Sequence, residues 1–360
     1  MQEEVTGTTT SAQPTFTAVA TSSNSLARNS SLLTPSRASV GVILLQLGTP
    51  QQPSYGSVFA YLRQFLSDRR VIEAPRWLWL PLLYLRILPW RSGASAAKYR
   101  RIWDPQRGSP LLYYTQRQAE QLQQRLAPVP VRVGMTYGQP GVAAAVEGLI
   151  QAGVDRLLAV PMYPQYSATT TAAATDALFR ALLRQRRVPA VRIVPPYYDH
   201  PAYLDAVTTV IREDWQRLSW EPEHVVFSYH GIPQKYARRG DPYARQVVYT
   251  TWALAQRLQL PRRRWTLAYQ SRFGRSPWLK PYTDDVLQGL ARRGIRRVYV
   301  ALPGFTADCL ETIDEIGRES RELFEQAGGE QLCNGTCLND HPRWLSALEQ
   351  IIRQEGCGWL

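Results

Sequence analysis

The segment Gly148-Leu-Ile-Gln-Ala-Gly153-Val-Asp-Arg156-Leu-Leu-Ala-Val-Pro161 reads as a helix end, a glycine turn and a short apolar run stopped by proline. It is echoed by Gly289-Leu-Ala-Arg-Arg-Gly294-Ile-Arg-Arg297-Val-Tyr-Val-Ala-Leu-Pro303. A bounded apolar run of this length suits a strand buried on both faces, and glycine ends helices because it tolerates the left-handed region. A second echo joins Leu47-Gly-Thr-Pro50 to His230-Gly-Ile-Pro233. The matches are short, and chance is their competing explanation, since glycine and proline punctuate any α/β protein. Read as duplication, they predict two similar halves with a cleft between them.

The rest of the chain fits that frame. Strands are expected at Gly41–Pro50, Val131–Met135, Arg156–Pro161, Val191–Val194, Val225–Tyr229, Trp265–Ala268 and Val298–Leu302. Between them, Gly141–Ala152, Tyr203–Arg217, Asp284–Arg293 and Glu311–Gln326 have helical length and periodicity. Alternating strands and helices imply parallel sheets flanked by helices, with ligands outside the carboxyl ends of the strands. Neither GxGxxG nor a P-loop follows any strand, and HExxH and GxSxG are absent, so dinucleotide-binding, P-loop, zincin and hydrolase signatures are not offered.

Composition narrows the classes further. The chain has 360 residues, 42 Lys+Arg against 29 Asp+Glu, a net charge of +13 and 44% hydrophobic residues. That length suits two domains. The basic excess is almost all arginine, with only Lys98, Lys235 and Lys280 as lysines, and carboxylates are interspersed. Scattered charge of this kind argues against nucleic acid and leaves an anionic membrane surface or an acidic ligand. Cys309, Cys333, Cys337 and Cys357 form no CxxC pair and are too few for a disulfide scaffold, so a reduced cytoplasmic setting is expected. Residues 1–38, rich in Ser, Thr, Ala and Asn, are expected to be a disordered extension; Glu3, Glu4 and scarce arginine argue against a transit peptide.

Three stretches stand out chemically. Trp77–Trp90 is apolar all round but holds Pro81, Pro89 and Arg86. It is too short to span a bilayer and suits either the lip of a greasy pocket at a lipid interface or a plain core helix. His230 ends an apolar strand beside a glycine, the position where α/β sheets place functional groups, although a lone histidine is often structural. Glu311, Glu315 and Glu319 are spaced i, i+4, i+8 and share one helical face, with Asp308 upstream. Like charges so placed repel, which a divalent cation would offset; an exposed acidic face or a charge network gives the same pattern. Carboxylates with one imidazole suit a first-row metal such as Fe²⁺.

With these motifs assembled, the chain resembles ferrochelatase, the terminal haem-synthesis enzyme, in its proteobacterial form. The resemblance runs from about Val42 to His341 through Leu47-Gly-Thr-Pro50, Gln64-Phe-Leu-Ser-Asp-Arg69, Gly108-Ser-Pro110, Tyr163-Pro-Gln-Tyr-Ser167, Ser228-Tyr-His-Gly-Ile-Pro233, Gln270-Ser-Arg-Phe-Gly274, Pro277-Trp-Leu279 and Asp308-Cys-Leu-Glu-Thr312. It implies two Rossmann-like chelatase domains, 39–172 and 173–341, with a helix over 342–355 packing on the first. It implies Fe²⁺ insertion into protoporphyrin IX, with coproporphyrin as substrate or non-catalytic porphyrin or haem binding as alternatives. His230 and Glu311 then fall on the catalytic pair, and Glu315 and Glu319 continue a metal path from them. Tyr137, Ser109, Tyr163, Trp278 and Phe305 match porphyrin-cleft positions, and 77–90 matches a lip for peripheral membrane contact at the cytoplasmic face. Three departures qualify the match. Gln46 replaces a common Asn, Thr136 replaces a basic residue of animal members, and Ala168 stands where cluster-bearing members place a cysteine. No permanently bound cofactor and no [2Fe–2S] cluster are therefore expected, since a cluster needs four ligands.

Overall fold

The computed structural model describes residues 39–360, Arg275 excepted. The disordered extension expected over residues 1–38 lies outside the described residues. The described chain falls in one compact unit built on two four-stranded parallel sheets. The first has order β2-β1-β3-β4, from β1 (Val40–Thr49), β2 (Val131–Gly138), β3 (Arg156–Pro161) and β4 (Ala190–Ile193). The second has order β6-β5-β7-β8, from β5 (His224–His230), β6 (Trp265–Gln270), β7 (Arg297–Ala301) and β8 (Gln331–Asn334).

The two sheets match in register. Val42 pairs with Val131 and Leu158, and its counterpart Val225 with Trp265 and Tyr299. Arg156 pairs with Ala190 as Arg297 pairs with Gln331. Gly153 and Gly294, the turn glycines of the opening segments, both have φ +86°. The repeat also extends beyond the motifs noticed in the sequence. Asp199-His-Pro-Ala-Tyr-Leu204 and Asp340-His-Pro-Arg-Trp-Leu345 lie at the same offset. In each the histidine side chain caps a helix that starts at proline, His200 accepting from Ala202 N and His341 from Arg343 N, both at 3.2 Å.

Burial follows the two-residue alternation of a strand. Val42 and Leu44 face the main core, Ile43 and Leu45 the helices on the opposite face. Val225, Phe227 and Tyr229 return to that same main core from the second sheet. Between the sheets, the helices Pro201–Arg217 and Pro342–Glu355 bring Tyr203 and Trp344 edge to face at 6.3 Å, both fully buried. The C-terminal helix thus packs against Pro201–Arg217, and its Arg353 also donates to the carbonyl of Arg125. A boundary after residue 172 cuts through this arrangement, because β4 lies beyond it yet pairs with β3.

Two expectations about helices change. Glu311–Gln326 is not one α-helix: Glu311–Ser320 is π-helical and only Arg321–Gln326 is α-helical. Side chains take the first carbonyls of this segment, Gln270 Nε2 donating to Glu311 O and Asn334 Nδ2 to Thr312 O, both at 2.9 Å. Such insertions divert the ordinary helical ladder. The segment around Trp77–Trp90 is not a plain core helix either. It runs through Arg76–Leu82, a π-turn Leu83–Ile87 and Leu88–Ile102, burying Leu83 and Leu88 while Trp77, Leu85 and Trp90 stay about four-fifths exposed. No helix among the described residues is long and apolar enough to cross a membrane.

Candidate functional site

The carboxyl ends of both sheets converge on one region. In the first half, β1 ends at Gly48, whose φ is +109° and whose missing Cβ would lie 1.7 Å from Tyr137 O; no other residue fits there. Gln46, the departure beside it, is buried and accepts from Leu47 N at 2.9 Å. Tyr137 at the end of β2 is buried and donates to Asp68 Oδ2 at 3.0 Å, and Gln64 Oε1 accepts from Gly138 N at 2.9 Å. Thus the Gln64–Arg69 motif holds the end of β2. Ser109 is buried and donates to Thr49 Oγ1 at 2.9 Å.

In the second half, the strand register puts His230 beside Gln270. His230 Nδ1 lies 2.7 Å from Gly231 O. A carbonyl only accepts, so Nδ1 carries a proton, and in the neutral tautomer the lone pair lies on Nε2. Trp278 stands 6.3 Å from the imidazole centroid to centroid, close over Gly231, where a Cβ would meet its ring at 3.1 Å. The side chain of Gln270 accepts from Ser228 Oγ at 2.7 Å and donates to Glu311 O, tying the start of the π-helix to the strand pair that ends at His230.

Two of the three glutamates find different partners. Glu315 accepts from Ser271 N and Ser271 Oγ, both at 2.6 Å. Burial pushes its carboxyl up to about 7; the Ser271 bonds oppose the rise, and repulsion from Glu311 and Asp284 adds to it. Glu319 instead ion-pairs with Lys98 and Arg318, each at 2.7 Å. The same network holds Asp314, which Arg101 grips through two bonds at 2.8 and 2.9 Å and Arg318 at 2.8 Å. Among the described residues no three His, Cys, Asp or Glu side chains converge into a metal-sized cluster. His230, Glu311, Glu315 and Glu319 are thus not gathered into one coordination sphere.

Of the remaining candidates, Tyr163 follows β3, and its hydroxyl is buried with no hydrogen-bond partner among the described residues, as are Trp278 Nε1 and Thr136 Oγ1. Phe305 is half-buried in the loop after β7, next to Thr306, whose hydroxyl donates across the halves to Met162 O at 2.9 Å. The sequence reading did not single out Gln270, Ser271 and Asp68, which bond to Glu311, Glu315 and Tyr137. All three lie inside quoted motifs, but only their partners on other elements disclose what they do.

Doubled parallel sheets with their carboxyl ends facing one histidine- and glutamate-bearing region define a two-halved α/β protein. The solved structure of SirB from Bacillus subtilis with Fe³⁺ shares this fold, with TM-score 0.51 and 19% identity over 70% of this chain and 93% of that one. At the level of sequence the relationship is far closer. The ferrochelatase family profile matches residues 39–356. The ferrochelatase of Mesorhizobium japonicum is 45% identical over 89% of this chain and 92% of its own, and that of Gluconobacter oxydans 47% over 90% and 96%. The chain belongs to the ferrochelatase family.

Proposed function

We propose that the chain is a lyase of haem synthesis that inserts Fe²⁺ into protoporphyrin IX, forming protohaem and releasing the two pyrrole protons. The observation that carries the reading is the Gln270 bridge, which keeps the Glu311 backbone against the strand pair that ends in His230. In this reading the lone pair on His230 Nε2 accepts one proton, since a neutral imidazole is a competent acceptor near physiological pH. Glu311 takes the second proton or meets the metal, with Glu315 behind it. Glu319, already ion-paired, forms the outer end of the acidic path. Tyr137, Ser109, Tyr163, Trp278 and Phe305 bound the porphyrin. No [2Fe–2S] cluster belongs to the reading, because Ala168 stands at the cysteine position of cluster-bearing members. Acid-labile sulfide in anaerobically isolated protein overturns that part.

The reading extends to a cytoplasmic enzyme resting peripherally on an anionic membrane through 77–90, supported by the exposed Trp77, Leu85 and Trp90. For domains, the sheet pairing favours a division between Arg217 and His224 over one after residue 172. Anaerobic incubation with protoporphyrin IX and Fe²⁺ tests the activity through loss of free-porphyrin fluorescence. The wild type turns over. His230→Ala binds porphyrin without inserting metal, and near-normal turnover by that variant removes His230 from the mechanism.

A further inference from the structure

We propose that Ser271 is a positioning residue that fixes the Glu315 carboxylate behind Glu311, and that Fe²⁺ handling depends on its hydroxyl. The inference rests on the chelatase reading above and concerns a residue to which that reading gave no role. Ser271 is the first residue after β6, directly following Gln270, and sits at φ +65°. L side chains are disfavoured there, and glycine would occupy the position without strain. A serine in that conformation delivers two donors to one carboxylate, N–H to Oε1 and Oγ–H to Oε2, each at 2.6 Å. Glycine would supply only the first.

The neighbouring contacts make this clamp part of a larger attachment. Gln270 holds Glu311 by its carbonyl and Ser271 holds Glu315 by its carboxylate, so two consecutive residues at the end of β6 fasten two acidic residues of the π-helix. Asn334 Nδ2 takes Thr312 O from β8, and Ser320 Oγ donates to Asp284 Oδ1 at 2.8 Å. The helix backbone therefore has anchors besides Ser271, and the Ser271 hydroxyl acts chiefly on the carboxylate. Short charge-assisted bonds of this kind hold both the position and the rotamer of the acceptor.

Two variants isolate the hydroxyl. Ser271→Gly removes it and relieves the backbone, whereas Ser271→Ala removes it and keeps the strain. Both are expected to lower kcat/KM for Fe²⁺ about tenfold, the factor that follows from losing one charge-assisted hydrogen bond. The KM for protoporphyrin IX is expected to stay within about twofold of wild type. The Tm of Ser271→Gly is expected to equal or exceed that of wild type. Wild-type kcat/KM for Fe²⁺ in Ser271→Gly overturns the proposal, and so does an activity loss in both variants that tracks a fall in Tm. Failure of the wild-type chain itself to insert Fe²⁺ strikes the chelatase reading instead, and the two failures are distinct.

Discussion

Asp314 and Glu315 are sequence neighbours on one helix, yet one carboxyl is held down at about 2 and the other pushed up to about 7. Burial raises both. At Asp314 the guanidinium groups of Arg101 and Arg318 outweigh it, whereas Glu315 receives only the neutral donors of Ser271 and faces Glu311 and Asp284. The linkage signs are therefore opposite. Asp314 stabilises the fold above its unfolded value near 3.8, and that contribution is lost as pH falls toward 2. Glu315 binds its proton more tightly folded than unfolded, so stability drops as pH rises from 4.5 to about 7. Glu315→Gln is expected to melt higher than wild type at about pH 8 and to lose that advantage at about pH 4, as followed by circular dichroism. Equal Tm differences at both pH values overturn this assignment. The repulsive spacing of the glutamates was legible in the sequence. Their separate fates were not, because Lys98, which pairs with Glu319, arrives from a helix more than two hundred positions away.

At the scale of elements, the same ion pairs join the helix Leu88–Ile102 to the π-helix Glu311–Ser320. Arg101→Ala leaves the nearly fully buried Asp314 with a single guanidinium partner. The expected loss is about 1–3 kcal/mol in urea unfolding, the usual cost of stripping a partner from a buried charged group. The preceding stretch behaves differently, since its tryptophans touch water. Trp77→Ser with Trp90→Ser is expected to weaken cosedimentation with phosphatidylglycerol vesicles and to leave Tm unchanged. Equal sedimentation of variant and wild type removes the lip from the membrane reading. Strands such as β1 and β3 were legible because doubly buried strands are written as continuous apolar runs. The edge strand β8 has only four residues, with one buried, and offers no such run. The π-helix was illegible because the side chains of Gln270 and Asn334 that divert its carbonyls lie on other elements.

Across the whole molecule, the main core is continuous from one sheet to the other, with Tyr203 and Trp344 at its junction. Trp344→Ala is expected to cost about 3–5 kcal/mol. Because both sheets contribute side chains to this one shared core, far-ultraviolet dichroism and tryptophan fluorescence are expected to report the same midpoint. Two separated transitions contradict this account. The arginine excess also acquires a structural meaning. Arg125, Arg217, Arg257, Arg292 and Arg353 all occupy last turns of helices, where cations oppose the negative end of the macrodipole. The surplus is therefore not devoted to substrate or lipid alone.

The sequence by itself determined the α/β class, the duplicated halves, the strand end that carries His230 and the family resemblance, since burial periodicity and turn chemistry are local properties written along the chain. Only the tertiary structure decided that β4 belongs to the first sheet, that Glu319 is neutralised while Glu315 is clamped by Ser271, and that Trp77, Leu85 and Trp90 face outward. Each of those depends on which distant side chain arrives within hydrogen-bonding distance, and spacing along the chain carries no record of that.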